Sequence, residues 1–540
     1  MTTQLRIPIP DVCIIVAYIL LILFIGVFTS RKTKVTSQVF FLAGRSLPWG
    51  VVGAALFASN ISTIHLVGLT ASGYNEGLVW GNFEWMASFT LILLALVFAP
   101  FYFRSGISTL PEFLERRYSP ASRSILAVMA ILAALFIHIG MSLYAGAVVF
   151  EQFFGINVIV SILIVAVIVS VYSVLGGLKA VVFTESVNTV VLLVGACLIT
   201  AFALRALPSH GIHTLAQFRA AVKPDQLDML QVHSSAGLNW YAVFLGYPVI
   251  GIWYWCTDQT IVQRVLGART EADAQLGPLF AGFLKILPVF LLVLPGVIAY
   301  VLFRGLIGSN SNQTLPVLIS QLIPTGLRGL ISAAVLAALM SAVSAALNSS
   351  GTLVAVDIVK RIQPRITDQR LVLVGRVSSI VIMLLAVLWS TQGGRFTSIF
   401  AAINVIASDL APPITTVFLF GVFWRRGTKE ASVVTLLAGF LMGVTSFVLD
   451  LPVFGSTKLI TDGLGISFMM QAWWMFCVCS LIFVVVSLLT PAPTEENLKG
   501  LTWSNPLAVI FGQPLRKASD PRIVAGLLLL SMTVLYYIFR

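Results

Sequence analysis

Charge is the scarcest property of this chain: Asp, Glu, Lys and Arg make up only 10% of its 540 residues, against about 25% in a soluble domain. A soluble fold has no way to bury the 58% of residues that are hydrophobic, so a large soluble enzyme is set aside. Cysteine is rare too. The five present, Cys13, Cys197, Cys256, Cys477 and Cys479, all fall in apolar stretches and read as small core residues, without disulfide framework or metal spacing. No Gly-rich phosphate loop, acyl-transfer triad or zinc signature occurs, which argues against an enzyme and against a bound cofactor. The first apolar stretch, residues 10–29, is too long for a signal-peptide core, and its basic cluster (Arg31, Lys32, Lys34) follows it, so it is expected to remain as a membrane helix with the N-terminus outside.

Acidic residues are outnumbered, 21 against 33 basic, for a net charge of +12. In a soluble protein that balance suggests nucleic acid. Here the basic residues gather in alternate short loops, the pattern that orients membrane helices, so no nucleic-acid partner is called for. Nor does any segment signal an obligate protein partner.

What is abundant is apolar runs of about 20 residues, the length that spans a bilayer as a helix. They predict an all-α polytopic membrane protein with about fourteen transmembrane helices. After 10–29, a second span runs to about residue 74, followed by 81–103, 124–150, 157–175 and 181–207. A polar external loop occupies 208–236. An interrupted span from 238 to about 263 follows, then 276–302, 330–356, 371–389, 396–423, 431–449, 469–489 and 523–539. The even count puts Arg540 outside with the N-terminus.

Two of these spans are wrong for plain membrane helices. Residues 58–68, Ala-Ser-Asn-Ile-Ser-Thr-Ile-His-Leu-Val-Gly, place polar side chains in mid-span, as does Trp253-Tyr254-Trp255-Cys256-Thr257-Asp258-Gln259. An unpaired backbone group in lipid costs several kcal/mol, so such interruptions belong where they line an enclosed cavity. On helical spacing Ala58, Ile61 or Ser62, His65 and Ser72 share one face. Each interruption opens a set of five spans, and because five is odd the second set enters from the opposite side. That arrangement points to a transport site near the midplane. The expected organisation is 1–44 (leading helix and cytoplasmic loop), 45–429 (transport core, with repeats 45–207 and 238–429) and 430–540 (additional helices).

Ionisable residues within spans are functional candidates by default. Glu84 and Lys285 are placed to offset each other's burial as an ion pair, and a polyol is able to bridge them. Asp409 is either a buried functional acid or a cavity-facing polar residue, and His138 reads as a hydrogen-bonded core histidine. Trp253, Tyr254 and Trp255, with Trp85 and Phe400, are a belt, core packing, or flat rings for the apolar face of a sugar. Ser341, Ser344 or Ala345, and Asn348 share a face suited to close packing or to ion coordination.

The stretches Ala58-Ser59-Asn60-Ile61, Phe83-Glu84-Trp85, Leu110-Pro111-Glu112-Phe113-Leu114 with Arg117, and Trp253 through Gln259 carry a resemblance. So do Leu284-Lys285, Pro295-Gly296, Gly326-Leu327-Arg328-Gly329-Leu330, Asn348-Ser349 and Pro412-Pro413. Together they resemble the sodium/solute symporters, specifically the sodium/glucose cotransporter branch. The resemblance implies a five-plus-five inverted-repeat transporter fold (LeuT-like) and sodium-coupled uptake of a hexose or related polyol across the plasma membrane. It implies a sugar site of Asn60, His65, Glu84, Tyr254, Trp255 and Lys285, with Tyr254 as an inner gate and Asn404 where the family carries a glutamine. It implies sodium held by carbonyls of Ala58, Ile61 and Ala338 and by Ser341. Two positions depart from the pattern: Ala342 replaces a serine, and Glu185 replaces an aspartate. A lost oxygen weakens sodium unless a water or the Glu185 carboxylate replaces it. A sodium-independent or proton-coupled carrier, with Glu185 or Asp409 as the proton group, and a non-concentrative sugar sensor are the competing readings.

Overall fold

A computed structural model describes residues 8–31, 36–393, 399–450, 459–503 and 519–540. The long elements, in chain order, are α1 (Ile9–Arg31), the bent pair α2 (Trp49–Asn60) and α3 (Thr63–Asn75), α4 (Leu78–Ser105), α5 (Pro120–Glu151) and α6 (Val158–Ala206). The pair α7 (Trp240–Ile252) and α8 (Gln259–Leu266) follows. Then come α9 (Glu271–Ile307), α10 (Leu327–Ile362), α11 (Asp368–Ser390), α12 (Ile399–Phe423), α13 (Lys429–Leu449), α14 (Phe468–Leu489) and α15 (Pro521–Ile538). Among the described residues no strand forms, only two isolated bridges.

Among the described residues eleven helices are long and apolar enough to cross a membrane, or up to twelve if the bent pair counts as one span. That is fewer than the fourteen expected, for a geometric reason. The expected spans 157–175 and 181–207 run together as α6, 49 residues long, although Gly177 inside it is not helical (φ 60°, ψ −163°). A Cβ there would lie 2.6 Å from the carbonyl oxygen of Phe40, so the position suits only glycine. The span from 238 divides into two pieces too short to be counted. The predicted start of 396–423 lies partly outside the described residues, as do Lys32, Lys34 and the Phe400 side chain.

The core sits around α10. Of its most apolar stretch 94% is buried, against 22% for α1 and α15. Its run of Ala, Ser and Gly explains this, since small side chains let membrane helices approach closely. Gly195 of α6 touches it so closely that a Cβ would come within 2.6 Å of the Ala334 methyl. α1 is tied to the start of α10: the buried Asp11 carboxylate accepts from the amides of Gly326 (2.9 Å) and Gly329 (2.6 Å), where a negative charge offsets the helix dipole.

The loop 208–236 is polar, as expected, yet it is built into the fold. Gln226 is buried, and its side chain donates to the last carbonyls of α3, those of Gly73 (3.1 Å) and Tyr74 (3.0 Å).

Candidate functional site

The first interruption is a true break. After Asn60 the backbone is extended at Ile61 (φ −74°, ψ 107°) and Ser62 (φ −104°, ψ 174°), and α3 leaves at 63° to α2. In an unbroken helix the Ser62 amide would close on the Ala58 carbonyl. Here it donates to His65 Nδ1 at 3.2 Å, so that carbonyl loses its helical donor. Because Nδ1 accepts, the neutral ring carries its proton on Nε2, which lies 3.9 Å from Glu84 Oε1.

The second interruption is narrower than the sequence suggests. α7 continues through a π-helical turn, Trp253–Thr257, and only Asp258 is extended (φ −83°, ψ 126°) before α8 begins. π-helical turns recur at functional sites. This one presents Trp253, Tyr254 and Trp255 inward. Asp258 caps α8 through the Thr260 amide (2.6 Å), and its other oxygen meets His138 Nε2 at 3.0 Å.

Both breaks wall one cavity of about 130 Å³. Six expected sugar-site residues lie on its wall: Asn60, His65, Glu84, Tyr254, Trp255 and Asn404. Lys285 does not. It stands behind the wall, 1% exposed, and its ammonium donates to both Asn60 Oδ1 and Glu84 Oε2 while lying 5.5 Å from the Trp255 ring centre. The expected Glu84–Lys285 ion pair is therefore present, with Asn60 as its third member.

The residues assigned to sodium are buried and off this wall. Thr63 Oγ1 donates to the Val335 carbonyl (3.2 Å), which ties the first break to α10. Ser341 is fully buried, and its hydroxyl accepts from Asn188 Nδ2 (2.7 Å). Asn188 Oδ1 in turn accepts from the Tyr18 hydroxyl of α1 (2.7 Å). Ala338 is buried beside it, and Ala342 faces the cavity. Both oxygens of Glu185 take Arg264, at 2.7 and 3.3 Å.

A second, wider cavity of about 1060 Å³ is lined by Asn75, Glu76, Trp80, Asp462 and Trp474, and Ile64 belongs to the walls of both. Burial raises the Glu76 carboxyl above its usual value, against the Trp80 hydrogen bond and Lys223, which pull it down.

Some members were not legible beforehand. His138 is hydrogen-bonded, as expected, but it also stands on the cavity wall. Ser142 and Tyr247 are on that wall as well. Asn188 and Tyr18 gave one signal only, the three-residue spacing of Asn188 from Glu185. Trp85 and Asp409 are off the wall; Trp85 packs edge-on against Tyr536, ring centres 5.3 Å apart, which makes it core.

The family model described as the sodium:solute symporter family matches residues 40–439. Sodium/glucose cotransporter 1 of Oryctolagus cuniculus is 31% identical over 536 residues, covering 92% of this chain and 81% of the relative. A sodium/mannose cotransporter of Bos taurus is 34% identical over 577 residues, covering 98% and 96%. The sodium/myo-inositol cotransporter of Homo sapiens is 32% identical over 553 residues, covering 93% and 76%. In fold, a solved Na+-coupled sialic acid symporter in a substrate-bound outward-open state superposes with a TM-score of 0.77 at 20% identity, over 90% of this chain and 99% of that one. The chain is a multi-span membrane protein and belongs to the sodium:solute symporter family.

Proposed function

We propose that this protein is a sodium-coupled symporter that takes up a hexose or related sugar or polyol by alternating access. The observation that carries the reading is the Asn60–Lys285–Glu84 cluster at the edge of a cavity walled by Tyr254 and Trp255. Hydroxyls donate to a carboxylate or amide oxygen and accept from an ammonium or imidazole N–H, so this cluster suits a polyhydroxylated ring. The aromatic walls suit its apolar face. The names of the three relatives fit: glucose, mannose and myo-inositol are all such rings.

In this reading Asn60, His65, Glu84, Tyr254, Trp255 and Asn404 hold the sugar, Lys285 serves the same site by holding Asn60 and Glu84 from behind the wall, and Tyr254 is the inner gate. Sodium lies between α2 and α10, on the carbonyls of Ala58, Ile61 and Ala338 and the Ser341 hydroxyl. Glu185 becomes available to the ion only by releasing Arg264. An ion drives a conformational change only through its different affinity for the two states. Sodium entering from outside favours the state with the wide cavity open and the Glu185–Arg264 side closed; sugar closure and rocking of the bundle then release both inside.

The same reading counts fourteen spans. Dividing α6 at Gly177, joining α2 with α3, and joining α7 with α8 adds three to the eleven helices. It keeps the 45–207 and 238–429 repeats, the plasma membrane, and both termini outside. The test is uptake of radiolabelled glucose, mannose and myo-inositol into proteoliposomes. An inward sodium gradient is expected to drive accumulation of at least one, while potassium or a proton gradient does not. Accumulation indifferent to sodium would refute the coupling.

A further inference from the structure

Every buried acid so far has a basic partner or a pair of amides: Glu84 has Lys285, Glu185 has Arg264, Asp258 has His138, and Asp11 has two backbone N–H groups. Asp409 of α12 has neither. It is 5% exposed, and its neighbours are Gln471 of α14 and Ser446 of α13, both also more than nine-tenths buried. Gln471 Nε2 donates to Asp409 Oδ1 (2.5 Å) and to Ser446 Oγ. Two acceptors are left without a donor: Asp409 Oδ2 and Gln471 Oε1. Two buried lone-pair oxygens on adjoining groups are costly as they stand.

We propose that Asp409 and Gln471 form a proton-binding site, in which a proton on Asp409 Oδ2 is donated to Gln471 Oε1. With the N–H to Oδ1 bond already made, the two side chains close as a cyclic acid–amide pair, and one hydrogen satisfies both orphaned atoms. A metal cation is the poorer occupant, because sodium wants about five or six oxygens and two are free. The charged surroundings are simple. Just past the end of α13, Asp450 lies one turn beyond Ser446, and its carboxylate is held by Thr461 and two amides. Lys429 and Glu430 are at the other end of α13, while α14 and the facing α7 carry no Asp, Glu, Lys or Arg.

The site fastens a helix that also serves the cavity. α12 bears Asn404 and Ala407 on the cavity wall and Val405 on the wider one. Its Asp409 carbonyl packs so tightly on α13 that a Cβ at Gly443 would lie 2.3 Å away. Protonated, the pair pins α12 to α14; ionised, it places an uncompensated charge among apolar helices. This inference goes beyond the transport reading and does not depend on the substrate.

The test is infrared difference spectroscopy of the purified full chain in detergent at neutral pH. Asp409→Asn, close in shape to the protonated acid, is expected to remove a carboxylic-acid C=O band present in the wild type. Gln471→Leu is expected to move that band to higher frequency, because the carbonyl loses its hydrogen bond. Sodium is expected to leave it unchanged. If Asp409→Asn folds and removes no acid band, Asp409 is ionised and the proposal is wrong. If sodium abolishes the band, the site takes a cation and the proposal is equally wrong.

Discussion

Glu185 of α6 and Arg264 of α8 form an ion pair at 2.7 Å with neither side chain exposed at all. Arg264 also donates to the carbonyl of Thr260, a cavity-wall residue. The pair therefore binds the second broken element to α6.

Removing one partner strands the other charge, a loss of about 3–5 kcal/mol, whereas replacing both with apolar residues is close to neutral. Glu185→Leu and Arg264→Met alone are each expected to lower the detergent unfolding temperature sharply, and the double variant to recover most of it. Tryptophan fluorescence during heating reads this. Additive losses in the double variant would show that the two residues are not coupled.

Lys285 holds Asn60 and Glu84 together from behind the wall. Lys285→Met is expected to weaken sugar binding by roughly 10- to 150-fold, the equivalent of about 1.5–3 kcal/mol for hydrogen bonds to charged groups. Isothermal titration with whichever of glucose, mannose and myo-inositol the uptake assay shows to accumulate measures it. Unchanged affinity would reduce the lysine to a structural counter-charge for Glu84.

Ala342 faces the cavity, so a serine there has room for its hydroxyl. One added oxygen near the ion is worth about 0.5–1.5 kcal/mol. Ala342→Ser is expected to lower the half-saturating sodium concentration of sugar uptake by about two- to tenfold; an unchanged value places sodium elsewhere.

Asn188 orients the Ser341 hydroxyl by donating to it at 2.7 Å. Asn188→Leu is expected to raise the half-saturating sodium concentration several-fold while leaving sugar affinity at saturating sodium near the wild-type value. A change in sugar affinity alone would separate Asn188 from the sodium set.

Asn404 is on the wall, one methylene shorter than a glutamine. Asn404→Gln is expected to reorder the preference among glucose, mannose and myo-inositol, read as competition against one labelled sugar. An unaltered order would remove this residue from selectivity.

Sequence alone determined the class of molecule. With so few charges and so many apolar runs, only a bundle of membrane helices buries this composition, and polar residues in mid-span had to mark an enclosed place. The Asn60 and Asp258 regions were legible for that reason: lipid tolerates no unpaired backbone, so a break announces itself locally. Tertiary structure alone decided which distant partners meet. Lys285 lies 225 residues from Asn60 and 201 from Glu84, and nothing local to any of them says that they converge, or that Lys285 stands behind the wall. The same holds for the chain from Tyr18 through Asn188 to Ser341 and for the capture of Glu185 by Arg264. Hydrophobic periodicity reports which face of a helix is apolar. Which helix then covers that face, and at what height, is settled by the packing of all of them at once.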